Sequence, residues 1–258
     1  MRLILVFVVL VVVGLTGCNP DTRNGNGNGN GNANRVEFKP PPPIKPAQAA
    51  DPNFKACNPY FPLVPGSVAK YVINYSSGIV GDLTIIVDAA DEDGQKVFTQ
   101  RSQLIDRSGG MQITQSIVRK FVCDGSVVRI LSEKTESNIA GQQSAVDFDF
   151  RENSVMMTDP QSLLRKGTTW THAFRTIFHN PGQPPSRSDV PTVVSFQVAD
   201  PEDVTTGAGT FKTIRVTRKI GENGTIDYYA AGVGLVKRQA SEGTSWELKE
   251  YSGLKALD

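Results

Sequence analysis

From about Asn53 to Tyr251 the chain repeats one pattern, and that pattern leaves little choice of fold. Segments of five to ten residues alternate or run apolar, and clusters of turn residues separate them, the signature of half-buried strands. Strands are expected at Val68–Tyr75, Leu83–Ala89, Val97–Leu104, Ile113–Val122 and Val127–Leu131. A second series follows at Trp170–Phe178, Val193–Val198, Phe211–Ile220, Ile226–Ala230, Leu235–Ala240 and Ser245–Tyr251. Asp91-Glu92-Asp93-Gly94, Ser108-Gly109-Gly110, Asp124-Gly125 and Glu222-Asn223-Gly224 supply residues that tolerate the positive φ of tight hairpins. Apolar spacing of helical period is not sustained anywhere, and one short helical turn is expected near Pro160–Leu164. The expectation is a mainly antiparallel all-β domain over residues 52–258.

An internal repeat is visible within it. Pro59-Tyr-Phe-Pro-Leu63-Val-Pro-Gly66 matches Pro160-Gln-Ser-Leu-Leu164-Arg-Lys-Gly167 in its Pro, Leu and Gly, and a strand with a bulky ring, Tyr71 or Trp170, follows each. Phe121-Val-Cys-Asp-Gly125 resembles Tyr228-Tyr-Ala-Ala-Gly232 near the two ends. The halves 57–155 and 160–251 read as related β-meanders, with chance similarity of common residues as the rival reading.

Upstream, the chain cannot fold this way. Asn24 to Asn34 is almost pure Asn-Gly alternation, with no apolar side chains to offset ordering entropy. Pro40–Pro43 and Pro46 then favour extended polyproline II. Residues 18–51 are therefore a linker, averaging roughly 30 Å end to end and reaching about 110 Å when stretched. Before it stand Arg2, the apolar run Leu3–Val13, and Leu15-Thr16-Gly17-Cys18. These are the parts of a secretory signal over residues 1–17, too short in its apolar stretch for the ~20 residues that span a bilayer. The last four residues resemble the lipobox of bacterial lipoproteins. That resemblance implies cleavage before Cys18, a diacylglyceryl group on its thiol, and acylation of the new amine, palmitate being the expected chain. Two or more acyl chains anchor stably where one does not. Asn19 is not the Asp that retains such proteins in the inner membrane. The resemblance thus implies outer-membrane delivery if the host is Gram-negative.

Charge excludes some functions. The 27 basic and 26 acidic residues nearly balance, and loss of Arg2 with the signal balances them fully. No basic surplus exists to neutralise nucleic-acid phosphates or to form a polybasic membrane patch. Apart from Cys18 the cysteines are Cys57 and Cys123. In an oxidising compartment they favour a disulfide over two buried thiols, and the absence of a CxxC argues against redox or zinc roles.

Short motifs also resemble a broad set of bacterial envelope proteins, many of them lipoproteins, that carry Pro-Leu-x-x-Gly-x-x-Trp-x-Tyr early and Tyr-Tyr-Ala-Pro-Gly-Val-Gly-Leu-Val-Lys late. Here the first reads Pro62-Leu63-Val64-Pro65-Gly66-Ser67-Val68-Ala69-Lys70-Tyr71, with Ala69 in place of the aromatic, and again Leu164 to His172 with Gly167 and Trp170. The second reads Tyr228 to Lys237, with Gly232 and Gly234 kept and Ala231 in place of proline. Gly207-Ala-Gly-Thr-Phe211 resembles a further turn of the group. The resemblance implies a curled antiparallel sheet, a half-barrel or open barrel similar to those of periplasmic lipoprotein carriers. It implies structural roles for Gly66, Gly167, Trp170, Tyr228, Gly232 and Gly234, with both rings on the sheet interior, and it implies no catalytic residues.

Sites of known chemistry are not assembled. His172 and His179 fall on opposite faces of a regular strand and ~20 Å or more apart, so one metal cannot hold both. HExxH and GxSxG do not occur. Asp91-Glu92-Asp93-Gly94 fails as a calcium loop because Ala89 and Gln100 occupy its key acidic positions. Gly207-Ala-Gly209 and Gly232-Val-Gly234 open no helix and are not phosphate cradles. Asp147 and Asp149 share a strand face, with Phe148 and Phe150 pointing inward. No cofactor or metal is expected. The leading expectation is a non-enzymatic, membrane-anchored envelope lipoprotein that binds an apolar ligand, such as a lipid or acylated peptide, or a protein partner. The alternatives are a structural or assembly protein of the envelope with a solid core, and, more weakly, an enzyme with an unrecognised acidic site. A cavity lined by Trp170, Phe174, Phe196 and Tyr228 would favour ligand binding, and a filled core with an unpaired strand would favour assembly.

Overall fold

The computed structural model describes residues 41–78, 80–106, 113–139, 141–150, 154–179 and 182–257. The signal, Cys18, the Asn-Gly tract and the turn expected at Ser108-Gly109-Gly110 lie outside these residues. The strands are β1 (Val68–Asn74), β2 (Val80–Glu92), β3 (Gln95–Asp106), β4 (Ile113–Asp124), β5 (Val127–Ile139), β6 (Gln142–Phe150) and β7 (Val155–Met157). A single helical turn, α1 (Pro160–Leu163), follows. Then come β8 (Thr169–His179), β9 (Ser186–Arg187), β10 (Thr192–Thr206), β11 (Gly209–Ile220), β12 (Asn223–Ala230), β13 (Gly234–Ala240) and β14 (Ser245–Ser252). The short β7 pairs with β5 and the short β9 with β8.

Each remaining strand pairs antiparallel with its neighbours in chain order, and two joints turn the sheet into a ring. β8 serves both sides of the first. Its residues Phe174–His179 pair with β6, and Thr169–Phe174 pair with β10. At the second, β14 returns to β1 from Val68↔Ser252 to Asn74↔Ser245. The result is a closed 12-strand up-and-down barrel. The expected curled antiparallel sheet is therefore present, and it closes completely. One half of the ring is β1–β6 and the other is β8 with β10–β14.

Local chemistry explains the elements. The β2–β3 hairpin closes on the pair Glu92↔Gln95, with Asp93 and Gly94 at φ 51° and 79°, as a two-residue turn of type I′ requires. Asp159 caps α1 by accepting from the Ser162 N–H at 2.9 Å, and Pro160 stands where its missing N–H costs nothing. Gly66 and Gly167 make the same connections before β1 and β8. Their N–H groups donate to Val87 and Val198, and those two residues donate back to Ser67 and Thr168. The buried leucine differs by one position between the two segments. Leu63 and Leu163 are enclosed, whereas Leu164 is 68% exposed.

One end of the barrel is covered by residues 54–66. Phe54 packs on Phe98 and Phe61 on Phe121, at ring separations of 6.2 and 5.3 Å. Asn58 is fully buried, and its Nδ2 donates to the carbonyls of Ser126 and Thr158. A Cys57–Cys123 disulfide fastens this cap to β4. Residues 41–50, the end of the expected linker, carry no helix or strand but lie along the outside of β2 and β3. Ala47 donates to Asp88, while Arg101 and Gln103 donate to the carbonyls of Lys45 and Pro42.

Because the disulfide closes a long loop, Cys57→Ser with Cys123→Ser should lower stability by ~4 kcal/mol. Equilibrium urea unfolding of the two proteins measures the difference.

A polar belt inside the barrel

A barrel of eight strands is just filled by its own side chains, and a wider one must fill or flood its interior. Here aromatic rings and guanidinium groups take up the space. Val87, Phe98, Phe121, Ile130, Phe196, Val216 and Tyr229 belong to the enclosed apolar core, with Trp170 and Phe174 packed against it. Trp170 stacks on Phe196 at 4.9 Å, and His172 meets Phe196, Phe150 and Phe174 edge-on or tilted.

Two cross-strand rungs carry charge through this core. In the first, Gln100, Arg119 and Glu133 lie side by side on β3, β4 and β5. Arg119 Nε donates to Glu133 Oε2 at 2.6 Å. In the second, Asp227, Arg238 and Trp246 align on β12, β13 and β14. Arg238 grips the almost fully buried Asp227 through both carboxylate oxygens, at 2.6 and 2.8 Å, with its guanidinium 4.6 Å above the Trp246 ring. The Tyr229 hydroxyl donates to Asp227 as well, and the Tyr71 hydroxyl donates to the Leu235 carbonyl. Burial alone would raise Asp227, but the facing Arg238 holds its carboxyl below the ordinary range. Burial pushes the phenols of Tyr71 and Tyr229 up.

A third arginine stands between the rungs. Arg218 on β11 lies opposite Phe196 and Thr225, and its Nε donates to Thr225 Oγ1 at 3.0 Å. Its Nη2 is buried and meets no partner among the described residues. Burial and the neighbouring Arg238 pull its pKa down to about 10. His172 is drawn down to about 4, mainly by burial, and is neutral near pH 7. A hydrogen bond to the Val155 backbone opposes that shift, while among the described residues its Nδ1 lacks a partner, as does Trp170 Nε1.

A cavity of about 100 Å³ adjoins this belt. Tyr71, Gln100, Arg119, Tyr229, Arg238 and Trp246 line its depth. Phe61, Pro62, Val233 and Leu254 line it where the cap meets the β12–β13 turn. That turn needs glycine for space as well as for positive φ. A Cβ on Gly232 would lie 1.9 Å from the Lys255 carbonyl oxygen, and one on Gly234 would lie 3.0 Å from the Pro62 ring.

The residues singled out from sequence separate accordingly. Trp170 reaches the interior. Tyr228, expected there too, is buried on the opposite face of β12 from Tyr229, and its hydroxyl donates to Gln239. His172 faces the core, while His179 lies on the outer face with its Nε2 in hydrogen-bond contact with Asp147 Oδ2 at 2.8 Å. Asp149 pairs with Arg187, so the two aspartates have separate partners and Phe148 is indeed inward. Arg119, Glu133, Arg218, Asp227 and Arg238 were missed. Their signal was faint but present: charged residues at the inward parity of otherwise apolar strands.

The architecture is that of a filled, up-and-down β-barrel with a polar belt across its core. The chain belongs to the DUF3108-like family, whose profile matches residues 78–252. No curated protein matches the chain. Among solved structures it is similar to a protein from Bacteroides fragilis NCTC 9343 described as exported with a YmcC-like fold. That chain is 13% identical at a TM-score of 0.48, with 76% of this chain and 100% of that one covered. It is also similar to a protein described as a lipoprotein from Parabacteroides distasonis ATCC 8503, 12% identical at a TM-score of 0.35, covering 77% and 100%. Both scores fall below 0.5, and the fold described above rests on this chain's own strand pairing.

Neutral His172 has a pH consequence. The unfolded imidazole takes its proton near pH 6.5, but the folded one does so only near 4. Between those values the unfolded chain binds more protons, so this contribution is intact above about pH 6.5 and is lost as pH falls toward 4. Wild type should lose about 3 kcal/mol more than His172→Phe between pH 7 and pH 4. Urea melts of both proteins across that range measure the difference.

Proposed function

We propose that this chain is a lipid-anchored protein of the bacterial cell envelope that works by binding rather than by catalysis. Two features support the location: the lipobox-like Leu15-Thr16-Gly17-Cys18 and the Cys57–Cys123 disulfide, a bond that persists in oxidising compartments. Cys18 carries the acyl chains, and the barrel hangs from them by the linker. Delivery is to the outer membrane in a Gram-negative host. Replacement of Cys18 by Ser should leave the precursor unprocessed or free the protein from membranes. Normal processing with unchanged membrane fractionation would contradict the anchor.

The observation that carries the binding reading is the cleft between the cap and the β12–β13 turn. It combines an apolar mouth with a few convergent polar groups, as small-molecule sites do. Its volume of about 100 Å³ is well below the ~300–1,000 Å³ usual for such sites. The ligand therefore inserts one end while the rest lies outside, which suits a lipid or acylated peptide presented from a membrane or a partner. Catalysis is disfavoured by the same belt. Glu133 is held through one oxygen by Arg119 and Asp227 through both by Arg238, so each is committed to an ion pair.

Native mass spectrometry of the detergent-extracted protein tests the reading. A non-covalent amphiphile should be retained and then lost on denaturation. A mass equal to the polypeptide with its covalent acyl chains alone would count against the cleft and favour the solid structural alternative.

A further inference from the structure

The charges of the interior belt do not balance. Among the described residues three guanidinium groups, Arg119, Arg218 and Arg238, meet two carboxylates, Glu133 and Asp227. Each carboxylate is already committed. Arg119 holds Glu133 at 2.6 Å, and Arg238 holds Asp227 through both oxygens. Arg218 feels the field of both neighbouring arginines as well as that of Asp227, yet no salt bridge reaches it among the described residues. Its Nε is used by Thr225, and its Nη2 is enclosed with an unspent N–H. Arg218 as a whole is only partly buried, but an enclosed guanidinium N–H without an acceptor leaves its desolvation cost unmet. A carboxylate brought by a ligand would meet it.

We propose that the barrel interior binds a small organic carboxylate whose oxygens take the free N–H groups of Arg218 Nη2. The excess of one positive charge selects a monoanion over a doubly charged phosphate. Trp170 and Phe196, stacked beside the strand that carries Arg218, supply a flat apolar wall that suits an organic acid. Trp170 Nε1, two strands away on the other side of Phe196, is a second enclosed donor without a partner among the described residues. Two sources share this chemistry: a free small acid, or the acid end of an amphiphile. The inference stands on the charge imbalance and does not depend on the cleft as the ligand's entrance.

The test is thermal unfolding of the detergent-extracted full chain in acetate or octanoate, at ionic strength held constant with sodium chloride. Wild type should show a saturable rise in melting temperature with acetate, because a ligand that binds the native state stabilises it by mass action. A half-saturating concentration at least tenfold lower for octanoate identifies an amphiphile as the source, and equal concentrations identify a free acid. Arg218→Met should lose the response to both acids while melting no lower than wild type in chloride alone. If that variant does not fold, Arg218→Gln gives the same reading with a neutral polar side chain. A wild type whose melting temperature ignores both acids, or a response of equal size in the Arg218 variant, overturns the proposal.

Discussion

The return of β14 to β1 is the pairing on which the rest depends. Until it forms, the meander is a long curled ribbon with two open edges, each able to recruit another chain. Its register runs through a bulge at Lys70/Tyr71, which adjusts the twist where first and last strands meet. Closure then sets the size of the interior, and that size dictates what must fill it. Twelve strands enclose more than aliphatic side chains alone fill well, so the core uses Phe, Trp and Tyr rings together with arginine stems. The polar belt follows from that geometry: long side chains that reach the centre bring their charged ends with them.

Much of this was written in the local pattern. Alternation and hairpin chemistry placed most of the strands, since Asp93-Gly94 and Asp124-Gly125 leave few backbone options. β6 was not among the segments called strands, although the alternation of Asp147 and Asp149 with Phe148 and Phe150 belonged to it. β5 ran on past Leu131 because its outer half carries Ser, Glu, Lys and Asn, which hides a strand whose neighbours supply its hydrogen bonds. Closure was not legible at all. Whether a curled sheet stops at half a barrel or meets itself depends on the summed twist and stagger of all its strands, which no single segment encodes. Tyr228 illustrates a smaller failure. Two adjacent tyrosines must face opposite ways on a strand, and the motif could not say that Tyr229 takes the interior.

The belt is unusual in how it allots its ions. Buried pairs such as Asp227–Arg238 are weak evidence of stability, because desolvation offsets much of their attraction. They do fix geometry, since a two-oxygen grip has one register. Asp227 is kept ionised by Arg238, while His172 in the same core is neutral and poorly solvated. The two-oxygen grip on Asp227 and an enclosed Arg218 N–H without an acceptor among the described residues set this interior apart from an all-apolar core.

The strap of residues 41–50 has a mechanical consequence. Ala50 sits against Gly66 and Gly253 at the capped end, whereas Pro42 reaches Gln103, close to the β3–β4 hairpin at the opposite end. The first described residues therefore lie at the end remote from the disulfide-fastened cap. A pull along the strap would load the contacts of Pro42, Lys45 and Ala47 in series along β2 and β3, parallel to the strands. The cap and its cleft lie outside that load path. Traction on residue 41 would be borne by the strap before it reached the mouth.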